Sequence, residues 1–159
     1  YETTATEKNI PIYIYENQQA MPRIYFAKNI KFVDSKNTFE ELLKIKDFHE
    51  LTLIECQKDC PTLSRFNLDN SLLRLNLDSF EPQLVKLKTF GNGGWLIYSD
   101  SNLPTWEAYI DDKQIPIYTA NYLFKSVFVP EGEHEVVFKY PGLWGQNKAA
   151  LQRLIFNFQ

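Results

Sequence analysis

The sequence predicts a mostly β protein: an antiparallel, jelly-roll-like β-sandwich with one or two helices contributed by its N-terminal part, α+β overall. Three observations carry that prediction. The aromatic residues, mostly Phe and Tyr, fall in short runs that alternate with polar residues, the period of two that gives a strand one buried face. In the C-terminal half, turn residues separate runs whose starts lie about 8 to 12 residues apart, as antiparallel sandwiches require. Only one stretch shows helical spacing, so the crossover helices of a parallel sheet are missing.

The first strands are expected at Ile10 to Tyr15, Arg23 to Ala27, Leu51 to Glu55 and Leu72 to Leu77, each bounded by Asn, Asp, Pro or Lys. Between them, Thr38 to Phe48 reads as a surface helix packed by one face, with Phe39, Leu42, Leu43 and Lys46 at helical spacing. Thr38 and Glu41 suit a capping box, and Glu40 and Glu41 early with Lys44 and Lys46 late suit the helix dipole. Gln83 to Phe90 alternates most clearly, with Leu84, Lys86 and Lys88 on one side and Val85, Leu87 and Thr89 on the other.

From Gly93 the strands follow in series: GWLIYSD, WEAYID, IPIYTA, LFKSVFV and HEVVFKY. The polar tetrad Asp111 to Gln114 suits a tight hairpin, and Pro130 to Glu133 supply a preset φ at proline and a positive φ at glycine. After Tyr140, PGLWGQNK reads as a connector, and Ala149 to Phe158 as a last strand or short helix. The expectation is one domain over 1–159, with a strand–helix–strand part over 1–60 and an antiparallel sandwich part over 61–159.

The 159 residues are 44% hydrophobic, with Lys+Arg 17 against Asp+Glu 20. That is enough to build a core and too balanced for a disordered acidic tail or a nucleic-acid reader. The longest uncharged stretches, Thr89 to Ser99 and Gln114 to Phe124, run eleven residues, well short of the roughly 18 to 20 of a membrane-spanning helix. The chain opens on Tyr1 and shows no basic-then-apolar leader, so it reads as an excised piece of a longer protein.

Catalytic signatures are scarce. The nucleophile elbow, the zinc-protease pair of histidines, the P-loop and the dinucleotide glycine pattern are all absent, and no cofactor is implied. His49 and His134 read as surface imidazoles titrating near neutrality. Cys56 and Cys60 precede Pro61 at a spacing that permits a local disulfide or two free thiols, and is a poor match to a zinc site. Two carboxylates suffice for glycoside hydrolysis, so Glu107 with Asp111 and Asp112, and Glu131 with Glu133 and Glu135, are the groups to weigh; both fall at expected turns, where carboxylates are solvated and keep ordinary pKa values.

Aromatic rings are the better lead, because Trp and Tyr present flat apolar faces that stack on sugars. Trp106, Tyr122 and Trp144 are the candidate carbohydrate-binding residues, with Tyr98, Tyr109 and Tyr118 as accompaniment. Trp95 and Trp106 sit inside strand patterns, which favours the core for both, while Trp144 lies in a glycine-flanked loop.

Two blocks carry a family resemblance. Gly93 to Tyr140 is similar to the C-terminal extracytoplasmic module of bacterial YfhO-like membrane proteins, with Pro104 and Trp106 at a strand entry, Tyr109, Asp111 and Lys113 around a hairpin, and Ala120 and Asn121 leading the next strand. Val129, Pro130, Gly132, His134, Val136 and Tyr140 match its final turn and strand. Tyr15 to Glu55 resembles an earlier segment of the family through Asn17, Ala20, Met21, Pro22 and Arg23, then Leu42, Leu43, Asp47 and Phe48. Asp112 and Thr105 stand where the family has glycine, and Ala149 to Gln159, with Gln152, Arg153 and Asn157, departs from the family's last membrane helix. The resemblance implies a domain on the extracytoplasmic face of a bacterial membrane, attached to the transmembrane core of a glycosyltransferase-like parent that carries the catalytic acid. Its partners would then be a glycan or envelope polymer and that core. The role expected is a non-catalytic one, glycan binding or scaffolding; the alternative is a glycoside-active domain built on a carboxylate pair.

Overall fold

The computed structural model describes residues 13, 15–61 and 73–142. Eleven strands and one short helix lie among them: β1 Ile24–Phe26, β2 Ile30–Val33, α1 Thr38–Leu42, β3 Thr52–Glu55, β4 Arg74–Glu81, β5 Leu84–Gly91, β6 Gly94–Ser101, β7 Glu107–Ile110, β8 Lys113–Ile115, β9 Tyr118–Ala120, β10 Phe124–Val129 and β11 Gly132–Lys139. They form a six-stranded sheet ordered β1-β6-β10-β9-β3-β2 and a five-stranded sheet ordered β4-β5-β11-β7-β8. The two layers pack as a β-sandwich. The expected strand Ile10 to Tyr15 lies largely outside the described residues, as do Trp144 and the segment Ala149 to Phe158.

The six-stranded sheet curls strongly. β1 and β2 are its opposite edges, yet only Ala27, Lys28 and Asn29 join them. Five inter-strand gaps of about 4.8 Å would set the edges of a flat sheet about 24 Å apart. Four Cα steps reach only roughly 14 Å. Contacts across the hollow agree: the rings of Phe32 on β2 and Trp95 on β6 meet edge-on at 5.9 Å, and the Tyr25 hydroxyl on β1 lies beside the Thr52 side chain on β3. The central strands β6 and β10 thus have two buried faces in this layer. Trp95, Ile97, Ala120 and Ile54 fill the concave side, and Leu96, Tyr98, Val127 and Val129 on the convex side pack against Val85, Leu87, Val136 and Phe138 of the other sheet.

N-terminal strands therefore complete the same sheet as β6, β10 and β9. Two departures from the sequence reading follow. β2, four residues long, is an additional strand, and it pairs with β3 in parallel. The parallel pair is possible because α1 makes the crossover between them. The run IPIYTA is divided: Ile115 ends β8 in one sheet and Tyr118 opens β9 in the other. Pro116 lies between, and a residue with no N–H suits the place where the chain leaves one ladder for the next.

The helix is shorter than its sequence pattern, ending at Leu42 instead of Phe48. The chain then tightens into i→i+3 bonds, from Lys44 N–H to Glu41 and from Ile45 N–H to Leu42. The capping box does not form. Asn37 is the N-cap without a side-chain bond, the Thr38 hydroxyl donates backwards to Asp34 O at 3.2 Å, and Glu41 is held by Lys31 and Lys44 at 2.6 and 2.7 Å. Nor does the helix bury an apolar face: Thr38 is buried, while Phe39 and Leu43 are 53% and 72% exposed.

Candidate functional site

Trp106 enters the inter-sheet core beside a fully buried lysine. On β10, Lys125 shares its face with Val127 and Val129, and its ammonium lies 4.1 Å from the Trp106 ring centre and 4.6 Å from that of Tyr98. Nζ donates to Ser101 O at 2.7 Å and stands 3.5 Å from an Asp100 carboxylate oxygen. A register shift between Phe124 and Lys125 skips Ser99 and Asp100, an irregularity that directs Asp100 and Ser101 towards the amine. Burial pulls the Lys125 pKa below its usual value, and Asp100 opposes that pull. A depressed amine is the chemistry of a Schiff-base lysine, but with no exposed surface it reaches no substrate. Lys125 is an internal pin, and Trp106 offers it the ring face that a sugar would need.

The carboxylates are also engaged internally. The Tyr109 hydroxyl donates to Glu107 at 2.8 Å, and Asp111 accepts from His134 Nδ1 at 2.6 Å and from the Glu135 N–H at 2.9 Å. Glu107 and Asp111 lie four residues apart along extended chain, roughly 13 Å at about 3.3 Å per residue. That is a backbone spacing; what sets the two apart from a glycosidase pair is that each carboxylate is committed to its own internal partner, Tyr109 for Glu107 and His134 with the Glu135 N–H for Asp111. His134 departs from the exposed imidazole titrating near neutrality that its position predicts. Both of its nitrogens face acceptors, Asp111 and the Glu131 carbonyl at 3.2 Å, which requires both to carry protons. Its pKa is raised accordingly, chiefly by Asp111, and Asp111 is in turn held below the usual carboxylate range by His134. His49 stays at the surface, one ring nitrogen 3.1 Å from Gln19 O.

Tyr122 is different: it points outward. Asn121 and Tyr122 form the two-residue turn of the β9–β10 hairpin, with φ of 46° and 72° and a bond from Leu123 N–H to Ala120 O. Asn121 suits this left-handed geometry and is tied on both sides to Leu53, its N–H donating and its Oδ1 accepting at 2.9 Å. Tyrosine does not suit it, at a cost of about 1 to 2 kcal/mol. The strained residue is 53% exposed and its ring meets that of Phe39 at 5.7 Å. Leu43, one turn from Phe39, and Leu123 with Leu103, linked through the bond from Asn102 N–H to Leu123 O, extend an exposed apolar ledge.

Cys56 and Cys60 are joined in a disulfide. Among the described residues no group of three or more His, Cys, Asp or Glu could hold a metal ion. No helix among them is long and apolar enough to cross a membrane.

Two of the surface depressions among the described residues bear on function. One, of about 380 Å³, lies between the α1 region and the β2–β3 pair and includes Lys31, Glu41, Lys44 and Glu50. Its charges neutralise one another: two lysines hold Glu41 at a pKa of about 2, and Lys28 pairs with Glu50 at 2.6 Å. The other, of about 450 Å³, lies over the β4–β5 end of the second sheet and is lined by Arg74, Asn76, Phe90, Gly91 and Asn92. No local sequence signal marks it, because Arg74 and Asn92 are 18 residues apart in the chain and meet only through strand pairing. No protein-family model, curated protein or solved structure matches the chain.

Proposed function

We propose that this chain is a non-catalytic binding or scaffolding module that engages cell-envelope glycan through its exposed aromatic ledge, on the extracytoplasmic face of a bacterial membrane and beside the transmembrane core of a larger parent. The observation that carries the binding role is the outward Phe39–Tyr122 ring pair, one ring of which is presented at the cost of an unfavourable φ. Strain kept at an exposed site points to use, since the core gains nothing from it. The ionisable groups agree with a module that does no chemistry, because Lys125, Glu107, Asp111 and His134 all serve internal partners. The place beside a membrane rests on the resemblance of Tyr15 to Glu55 and Gly93 to Tyr140 to the YfhO-like module, and the bridged cysteines suit an oxidising compartment.

Amide NMR titration with fragments of envelope polysaccharides tests the reading. Saturable shifts at Phe39, Tyr122 and Leu123 are expected, absent in Tyr122→Gly, a variant that keeps the turn and relieves its strain. No shift in the protein with any fragment would leave scaffolding and refute recognition.

A further inference from the structure

The strand register builds a second surface feature whose chemistry is more selective than the ledge. β4 pairs with β5 so that Arg74 lies opposite Phe90 and Asn76 opposite Lys88. Val85, Leu87 and Thr89 face the core, so Lys88 and Phe90, each one residue out of phase with them along β5, belong to the outer face, and Arg74 and Asn76 with them. Gly91 then takes φ 115°, turning the chain so that Asn92 returns to the rim of the same depression. The next residue, Gly93, lies flush on the Val129–Pro130 backbone: a Cβ there would come within 2.5 Å of Val129 O and the Pro130 carbonyl carbon. The segment carrying Asn92 is therefore clamped.

The depression combines a half-buried phenyl ring, two carboxamides and a guanidinium, with no carboxylate in its lining. Arg74, Asn76 and Asn92 make no side-chain hydrogen bond or ion pair among the described residues. Lys31, Glu41 and Lys44 in the other depression are already paired, and this contrast selects between the two. Each part has one natural counterpart on a ligand. The ring takes the C–H face of a pyranose. A carboxamide offers a donor and an acceptor, which suits adjacent hydroxyls. The guanidinium fork takes an acidic oxygen pair in bidentate fashion. Glu133 lies opposite Phe90 on β11, on the side away from Arg74, so an acidic group would be directed to the β4 edge.

We infer that the Arg74–Asn76–Phe90–Asn92 depression is a subsite for a glycan bearing an acidic substituent, the carboxylate of a uronic acid or a sugar phosphate. The inference rests on the glycan-binding reading and adds to it the charge of the ligand. The test is amide and side-chain NH2 NMR titration of the whole chain with a trigalacturonate, its methyl ester, a hexose phosphate and inorganic phosphate, in low and 0.5 M salt. Saturable shifts at Asn76, Phe90, Gly91 and Asn92 are expected with the trigalacturonate, the hexose phosphate or both, which separates the two acidic sources. Binding should weaken at least tenfold for the methyl ester and in high salt, and at least tenfold in Arg74→Ala. Arg74 is exposed, so that variant should melt as the wild type does; Arg74→Lys, which keeps the charge and loses the fork, should fall between. Equal binding of ester and acid would overturn the role of Arg74 while leaving glycan recognition standing. Inorganic phosphate binding as tightly as the sugars would reduce the site to an anion contact and overturn the inference. Shifts confined to Phe39 and Tyr122 would overturn it and keep the proposed function, and no shift with any sugar would overturn both.

Discussion

Replacing Lys125 by methionine should leave the protein equally or more stable. The side chain has no exposed surface, and holding an ammonium away from water costs several kcal/mol even after relaxation. Against this stand one charge-assisted hydrogen bond to Ser101 O, about 1.5 to 3 kcal/mol, and two ring faces at about 0.5 to 2 kcal/mol each. Asp100, about one-third exposed and 3.5 Å away, adds less than a fully buried partner would. These contributions nearly cancel, so Lys125→Met should range from neutral to about 3 kcal/mol more stable, as apolar replacements of buried ion pairs do, or up to about 10 °C in Tm for a domain of this size. Asp100→Ala should instead cost about 2 kcal/mol, because it leaves the buried charge with one fewer partner, and that cost should vanish in the double variant. A pH series adds a sign. With its folded pKa below the ordinary 10.5, Lys125 binds fewer protons in the folded state than in the unfolded chain, so wild-type stability should rise with pH from that lowered value to 10.5 relative to Lys125→Met. Tyr98, raised above 10 chiefly by burial, acts in the opposite sense above pH 10. Urea unfolding at pH 7 to 10 is the assay. A loss of more than about 2 kcal/mol in Lys125→Met at an unchanged m-value, or parallel pH curves for the two proteins, would refute the reasoning.

The His134–Asp111 pair should give an opposite pH dependence nearer neutrality. The raised His134 pKa contributes stability that is complete below 6.5 and lost as pH rises through the folded value, and the lowered Asp111 pKa contributes stability present above 3.8 and lost as pH falls through its own. Melting curves from pH 3 to 9 should therefore show the wild type's advantage over His134→Gln greatest between about pH 4 and 6.5. Asp112, at φ 65° in the second position of the β7–β8 turn, should gain roughly 1 kcal/mol on change to glycine, read as a higher urea midpoint. Gly93→Ala should lose about 3 kcal/mol or more by the same measurement, since its Cβ would meet backbone atoms that cannot yield.

Much of the fold was legible because the signals are local. The alternation of Leu84 to Thr89 put Val85, Leu87 and Thr89 together on the face that proves buried, and the polar tetrad at Asp111 marked a genuine two-residue turn. The helix is shorter than its pattern predicts. Its spacing from Thr38 to Phe48 is real, but Phe39 and Leu43 stay largely exposed, Phe39 meeting the edge of the sheet at Tyr122, and short helices owe their stability to burial of such a face. Of the candidate rings, Tyr122 proved exposed and Trp106 half-enclosed around Lys125. The burial of Lys125 had a signal that went unused: in LFKSVFV it shares its strand face with Val127 and Val129, which leaves the lysine with its neighbours in the core.

By itself, the sequence determined the β class, most strand positions and the hairpin turn at Asp111 and Asp112, since each depends on residues within a few positions of one another; the second expected hairpin, at Pro130 to Glu133, instead carries the chain from β10 in one sheet to β11 in the other. Tertiary structure alone decided the curl of the six-stranded sheet, which follows from a three-residue link between its opposite edges. It also decided the parallel β2–β3 pair, the ring box around Lys125 and the meeting of Arg74 with Phe90. These depend on which strands lie side by side and in what register, a choice made by the whole chain burying its apolar faces together.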